Sequence, residues 1–152
     1  MEAEDIPFVK KLEVDSNLSP WTLESYTENL TNIDSINLVA VEIPQRIVGF
    51  LVTRLITHED LTNNQIDRIN EIEIYNIAVD INYRRLGIGR YLLEECQKLI
   101  NHGEKLQIWL EVRSSNVAAT NFYFKLGFER KYIRKSFYSN PPEDALVMCL
   151  EK

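Results

Sequence analysis

The sequence feature that most constrains the fold is the stretch from Glu71 to Arg90, EIEIYNIAVDINYRRLGIGR. Its first part is apolar enough for a buried strand over 71–79, and it then changes to a turn and a glycine-bearing loop before a helix. The N–H groups and the dipole of a helix N-terminus favour an anion. Gly87 and Gly89 let the backbone approach that anion without a Cβ in the way. The stretch therefore predicts a phosphate-binding loop.

From the residues alone, a second interpretation of this loop stays open. Two glycines in a strand-to-helix turn are common, and such a turn need bind nothing. Arg84, Arg85 and Arg90 place cationic donors around the loop, which favours the phosphate interpretation. A Rossmann-type dinucleotide site is poorly supported, because the third glycine of that pattern is missing and no acidic residue follows at the end of a second strand.

Length and composition limit the class of protein. A chain of 152 residues predicts a single domain over residues 1–152 with its own core. The net charge of −6 argues against a nucleic-acid partner and mildly favours a basic one. No apolar run approaches the ~18 residues of a membrane span, and the acidic N-terminus is unlike a signal peptide. We therefore expect a cytoplasmic protein without a membrane partner, in which Cys96 and Cys149 are buried thiols.

The order of elements predicts the fold class. Polar residues over 57–70 predict a mobile loop, and residues 36–42 and 47–56 predict a hairpin. The full prediction is helices over 5–15, 22–32, 89–101 and 116–126, and strands over 36–42, 47–56, 71–79, 106–112, 128–138 and 145–150. Such an order is typical of an α/β fold in which helices flank a mixed, twisted central sheet.

Three motifs, found in one order, carry a resemblance to a known family. They are NIAV at 76–79, RRLGIG at 84–89, and LEVRSSN at 110–116 followed by LGF at 126–128. The chain resembles the GCN5-related N-acetyltransferases (the GNAT family), and within it the RimI type, which acetylates the N-terminal alanine of a ribosomal protein. That family begins with a short strand, whereas a helix can begin here by residue 5. Either that strand is absent, or the sequence starts inside the natural one.

The resemblance implies acetyl-CoA as the acetyl donor and no metal. It implies a GNAT fold whose sheet splays between two central parallel strands, the strands that end at Val79 and Val112. The pantetheine arm would pair with backbone in the gap, and Asn116 would cap a helix and touch the cofactor. The implied cofactor-binding residues are Ile77, Ala78 and Val79 for the arm, and Arg85, Leu86, Gly87, Ile88, Gly89 and Arg90 for the pyrophosphate.

The resemblance also assigns catalytic roles. Glu111 would be the general base and Tyr123 the general acid, with the N–H of Val79 as an oxyanion donor. Partial burial in the apolar strand IWLEV would strengthen Glu111 as a proton acceptor. The residues alone favour a solvent-exposed carboxylate or an ion pair with Arg113 for Glu111, and core packing for Tyr123.

The expected acceptor is the N-terminal amine, with alanine first, of a basic ribosomal protein. Trp21 and Tyr138 would line its groove, although Trp21 could instead pack the second helix and Tyr138 could be a surface residue. Two other functions stay open: a GNAT enzyme for another amine (a protein lysine, a polyamine or a small molecule) and a non-catalytic acyl-CoA sensor. Intact Glu111 and Tyr123 argue against the sensor. We expect a monomer or weak dimer.

Overall fold

The computed structural model describes residues 1–62, 65–100 and 105–152, which form four α-helices and six β-strands. The helices are α1 (Ile6–Asp15), α2 (Leu23–Thr31), α3 (Ile88–Lys98) and α4 (Val117–Lys125). The strands are β1 (Asn37–Glu42), β2 (Arg46–Thr62), β3 (Gln65–Val79), β4 (Lys105–Arg113), β5 (Glu129–Ser139) and β6 (Pro142–Glu151). The predicted α/β class is confirmed.

The strands form one mixed sheet in the order β1-β2-β3-β4-β6-β5. Among the described residues, β3 pairs with β4 in parallel, whereas β1 with β2, β4 with β6, and β5 with β6 pair antiparallel. The parallel register runs from Ile69 opposite Lys105 to Ile74 opposite Leu110. Both strands continue past it, to Val79 and Arg113. The predicted splay falls in these continuations and stays a prediction.

The chain divides into two compact units, each drawn from two segments. The first unit is Met1–Leu55 with Tyr75–His102, and the second is Ile56–Ile74 with Gly103–Lys152. The prediction of a single domain stays a prediction. No described helix is both long enough and apolar enough to cross a membrane.

The core of the first unit is built on one face of α1. Ile6, Val9 and Leu12 recur at helical spacing and are at most 6% exposed, and they cluster with Tyr26 of α2 and Phe50 of β2. The helix α2 begins as predicted, because the Thr22 hydroxyl accepts the N–H of Ser25 at 3.0 Å. Ahead of α1 the described chain forms a short 3₁₀-helix, Ala3–Asp5, and no strand.

The core of the second unit is centred on β6, which lies between β4 and β5. Every residue from Ala145 to Leu150 is buried, as expected for a strand covered on both faces. The helix α4 has the predicted cap, since the side chain of Asn116 accepts the N–H of Ala119 at 3.1 Å.

The prediction of a mobile loop over residues 57–70 is wrong. The described parts of this segment belong to two long strands, β2 to Thr62 and β3 from Gln65, while residues 63 and 64 lie outside the described residues. Side-chain pairs hold the two strands: Thr57 Oγ1 donates to Asn70 Oδ1 at 3.0 Å, and Glu59 pairs with Arg68 at 3.7 Å. The predicted end of the third helix at residue 101 also lies outside the described residues.

Candidate active site

The turn after β3 is fixed by Asp80. Its backbone N–H donates to the carbonyl of Val48 at 2.8 Å, and its carboxylate accepts the N–H of Asn82 and pairs with Arg46, both at 2.9 Å. The Asn82 N–H and the Arg46 guanidinium hold the pKa of Asp80 below its ordinary value. Asp80 therefore stays ionised at neutral pH and anchors the start of the predicted cofactor loop.

The end of β3 presents backbone donors at one edge. Because successive N–H groups of a strand point to opposite edges, the bond from Asp80 to Val48 fixes the direction of the neighbouring groups. The N–H of Ala78 points toward β2, and the N–H groups of Ile77 and Val79 point away from it. This direction suits the predicted pairing with an amide chain and the predicted oxyanion donor.

The loop that follows leaves the start of α3 open. Gly87 is the N-cap residue with φ of 86°, and a Cβ built there would have no atom within 4 Å. Its carbonyl accepts the N–H of Tyr91 at 2.9 Å, so the N–H groups of residues 88–90 precede the first intrahelical bond. The first turn contains no acidic residue. These features fit the pyrophosphate of a cofactor.

The arginines of the loop have different environments. Arg84 supports the backbone of the loop, since its Nε donates to the carbonyl of Val79 at 3.0 Å. Arg85 has φ of 63°, a left-handed conformation that turns the chain toward the helix. Arg85 and Arg90 are both exposed, as is Leu86. Arg84 is exposed as well but is engaged with the Val79 carbonyl, so Arg85 and Arg90 are the better candidates to bind an anion at this loop.

Gly49 is a site residue that sequence reasoning missed. A Cβ at this position of β2 would lie 3.2 Å from the carbonyl oxygen of Ala78 and 3.2 Å from the Cγ2 atom of Ile88. The absence of a side chain therefore lets β2 lie close to both the end of β3 and the start of α3. A glycine inside the apolar run IVGFLV was the available signal, because it marks a close backbone approach.

In the second unit, Glu111 has a different ion-pair partner from the one considered in the sequence. Its side chain is 34% exposed, which agrees with the partial burial expected of it. Its carboxylate accepts a hydrogen bond from Arg134 and not from Arg113. Arg113 instead donates to the carbonyl of Asn140 at 2.9 Å and pairs with Glu143 at 3.3 Å. Glu111 alternates with the buried Leu110 and Val112, so it projects from the other face of β4.

Tyr123 of α4 is only 6% exposed and packs between two rings. Its ring centroid lies 5.2 Å from that of Phe122 and 5.4 Å from that of Phe128. Burial, with a smaller contribution from Tyr138, raises the pKa of Tyr123 above its ordinary value. Tyr123 therefore belongs to the core, as one interpretation expected, and it also keeps its proton at neutral pH, as a general acid requires.

Tyr138 of β5 lies against Glu111. Its hydroxyl donates to the backbone carbonyl of Glu111 at 3.3 Å, and its ring lies under the Arg113 guanidinium, 4.1 Å from the centroid. Burial raises the pKa of Tyr138, Glu111 and Glu143 raise it further, and Arg113 opposes them. The structure thus brings together two residues, Glu111 and Tyr138, that the sequence analysis assigned to different tasks.

Trp21, in the first unit, is packed into the α1–α2 region. Its ring lies 5.3 Å from that of Tyr26 and 5.4 Å from that of Tyr75. This contact agrees with the interpretation that Trp21 packs the second helix, and its role toward an acceptor stays a prediction.

Glu13 of α1 is a second residue that sequence reasoning missed. It is fully buried, and its Oε1 accepts the N–H of Trp21 at 3.0 Å, the hydroxyl of Tyr26 at 3.1 Å and the amide of Asn76 at 3.1 Å. Its Oε2 has no hydrogen-bond partner among the described residues. Burial raises the pKa of Glu13. A single acid inside an apolar helix face gave no distinctive signal in the sequence.

The two cysteines are buried free thiols, as predicted. Burial raises the pKa of both Cys96 and Cys149 to about 11. Neither thiol therefore ionises appreciably at neutral pH, and neither is suited to act as a nucleophile.

Comparisons with known proteins agree with this site. A sequence model of the acetyltransferase (GNAT) family matches residues 6–128. Ribosomal protein bS18-alanine N-acetyltransferase of Escherichia coli K12 is 31% identical over 154 residues, covering 99% of this chain and 93% of that protein. The putative enzyme of the same name from Bacillus subtilis 168 is 29% identical over 148 residues, covering 97% and 90%. The crystal structure of the Escherichia coli ribosomal-protein-S18-alanine N-acetyltransferase matches with a TM-score of 0.76 at 30% identity, covering 99% and 90%.

These matches confirm the fold class and the resemblance drawn from the three motifs. Enzymes of this family use acetyl-CoA as the acetyl donor, and the open helix start after Gly87 fits its pyrophosphate. The family match over most of the chain, with a relative above 30% identity over nearly all of it, shows that this protein belongs to the acetyltransferase (GNAT) family and is an N-acetyltransferase.

Proposed function

We propose that this protein transfers the acetyl group of acetyl-CoA to the N-terminal amine of a ribosomal protein, with bS18 and its N-terminal alanine as the acceptor. The similarity to the Escherichia coli enzyme of that name supports the acceptor. One structural observation carries the chemistry: Glu111, Tyr123 and Tyr138 occur in one compact unit, where the Tyr138 hydroxyl donates to the backbone carbonyl of Glu111 and burial, with a smaller contribution from Tyr138, raises the pKa of Tyr123.

Deprotonation of the acceptor is an easy task for this site. An α-amino group has a pKa of about 7.7–8.0, so a sizeable fraction is already neutral near pH 7.5. Glu111 takes the proton from the remainder, directly or through a water molecule. Because its side chain is 34% exposed, an acceptor arriving from solvent can reach the carboxylate.

Two further groups act on the charges that develop during transfer. Acetyl-CoA supplies an acetyl group activated as a thioester. The N–H of Val79, which points away from β2, donates to the carbonyl oxygen as it gains negative charge. Tyr123, which keeps its proton because burial raises its pKa, donates that proton to the leaving sulfur, and the proton that the acceptor nitrogen loses on forming the amide restores the phenol.

Backbone and cationic side chains hold the donor. The N–H groups of residues 88–90, with the exposed Arg85 and Arg90, bind the pyrophosphate. The N–H groups of Ile77 and Val79 pair with the pantetheine amides, and Asn116 contacts the cofactor beside its role as a helix cap. The net charge of −6 favours a basic acceptor.

Acetyl transfer to a peptide panel tests this function. The panel holds peptides that begin with Ala, Ser, Met or Gly, and a lysine-containing peptide with a blocked N-terminus, each followed by mass spectrometry. The proposal predicts acetylation of the α-amine, fastest on the Ala peptide. Preferred acetylation of the blocked lysine peptide, or of a polyamine in parallel, would instead identify an acetyltransferase for another amine.

A further inference from the structure

The carboxylate of Glu111 has a cationic partner that comes from a different strand. Arg134 of β5 donates to Glu111 Oε1 through its Nη1 atom. The same guanidinium lies over the ring of Phe137, 4.2 Å from the centroid. The arginine is therefore held between a carboxylate and an aromatic ring, which restricts a side chain that is itself 49% exposed.

The sheet register explains how Arg134 reaches Glu111. Ala145 of β6 lies opposite Arg113 in β4 and opposite Arg134 in β5, so the three share one face of the sheet. Glu111 lies on the same face, two residues before Arg113. The small side chain of Ala145 leaves room for the Arg134 side chain to pass over β6 toward β4.

An irregularity in β5 brings Arg134 and Tyr138, which are four residues apart, to neighbouring positions on that face. Between Arg134 and Tyr138 the strand β5 advances four residues while its partner β6 advances two, from Ala145 to Glu143. Ser136, inside this bulge, has φ of 51° and donates its N–H to Asp144 at 2.9 Å. Bulges of this kind redirect side chains, and this one leaves both Arg134 and Tyr138 in contact with Glu111.

The neighbouring charges already have other partners. Arg113 pairs with Glu143 at 3.3 Å, and Lys135 pairs with Asp144 at 2.7 Å. Among the residues that the structure describes, Glu111 forms an ion pair with Arg134. The arrangement therefore assigns Arg134 specifically to the carboxylate on which the proposed reaction depends.

We propose that Arg134 is a positioning residue of the acetyl transfer, which orients the Glu111 carboxylate toward the acceptor amine. This inference rests on the proposed role of Glu111 as the base. A glutamate without this contact would sample several rotamers and spend less time in the productive one. Arg134 does not touch the reacting atoms, and its effect passes through Glu111.

A double-mutant cycle tests the inference. Arg134→Gln should lower kcat at about pH 7 by about tenfold and leave the affinity for acetyl-CoA and the Tm unchanged. In the Glu111→Gln background the same substitution should have no further effect. Arg134→Lys should restore most of the rate, since it keeps the positive charge. Lys135→Gln, which removes the next cation along β5, is the matched control and should leave kcat unchanged.

The pH dependence distinguishes positioning from a structural role. At about pH 9 the acceptor amine is mostly neutral and no longer depends on Glu111 for its first deprotonation, so the deficit of Arg134→Gln should shrink severalfold. A deficit that persists undiminished at that pH, or that adds to the effect of Glu111→Gln, would overturn the inference, as would an unchanged or raised kcat at about pH 7. Full activity of Glu111→Gln itself would instead remove the proposed base, which is a failure of the proposed function.

Discussion

At the scale of single residues, the proposed chemistry depends on a phenol that keeps its proton. Burial against Phe122 and Phe128 raises the pKa of Tyr123, so its hydroxyl stays protonated where an exposed tyrosine begins to ionise near pH 10. We therefore expect no loss of rate from ionisation of Tyr123 below about pH 10.

Replacing this phenol tests its role. Tyr123→Phe removes one oxygen from a packed site and should lower kcat by about 100-fold or more, because a general acid contributes rate enhancements of that order. The affinity for acetyl-CoA, measured by calorimetry, should change less than about threefold. Tyr132→Phe, at a tyrosine of β5 that is 53% exposed, is the control. An unchanged kcat for Tyr123→Phe would remove Tyr123 as the acid.

A second residue-scale prediction concerns the buried Glu13. Burial raises its folded-state pKa above the unfolded value, so its contribution to stability is complete below the unfolded pKa and declines as pH rises through the folded one. Glu13→Gln cannot ionise, and its Tm relative to the wild type should therefore rise by a few degrees from about pH 5 to about pH 8. The exposed Glu24→Gln is the control. A Tm difference that does not vary with pH would contradict this.

The sequence did not predict which side chain pairs with Glu111. From the sequence, Arg113 was one possible ion-pair partner of Glu111. The partner is Arg134, whose approach depends on the strand order β4-β6-β5 and on a small residue at Ala145. The spacing of residues along the chain shows neither the strand order nor this register, because the pairing of strands that are far apart in the sequence depends on the whole sheet.

At the scale of elements, the loop before α3 can be tested through charge. Gly87 has φ of 86°, open space where a Cβ would stand, and a place at the helix N-terminus. Gly87→Glu puts a carboxylate beside the proposed pyrophosphate site and should weaken acetyl-CoA binding by tenfold or more, about 1.4 kcal/mol. Gly87→Asn is the matched control, because asparagine tolerates a positive φ and is neutral. Full retention of binding by Gly87→Glu would discredit the loop as the phosphate site.

Elements with a local signal were predicted well, and those without one were not. The caps at Thr22 and Asn116 and the apolar face of α1 follow from residues a few positions apart, and the structure confirms them. The segment 57–70 is polar and lacks the alternation of a half-buried strand, so its extension of β2 and β3 was missed. Its strands are joined by polar cross-strand pairs such as Thr57 with Asn70. Such pairs can be recognised only when the alignment of the two strands is known.

At the scale of the whole molecule, the net charge of −6 should affect acceptor binding. Raising the ionic strength from about 0.01 M to about 0.15 M shortens the screening length from about 30 Å to about 8 Å. The KM for a basic acceptor peptide should therefore rise severalfold over this range. A neutral peptide with the same first residues is the control, and its KM should change little. Equal salt dependence for both peptides would show that long-range charge does not select the acceptor.

The measurement that tests the central claim most directly is acetyl transfer to a mixture of unacetylated small-subunit ribosomal proteins. The enzyme and acetyl-CoA are added, and intact-mass and fragment mass spectrometry locate each acetyl group. The account predicts one product, bS18 with a single acetyl group on its N-terminal alanine, formed by the wild type and at least 100-fold more slowly by Tyr123→Phe. Acetyl groups on lysine side chains, or spread over many N-termini, would contradict it.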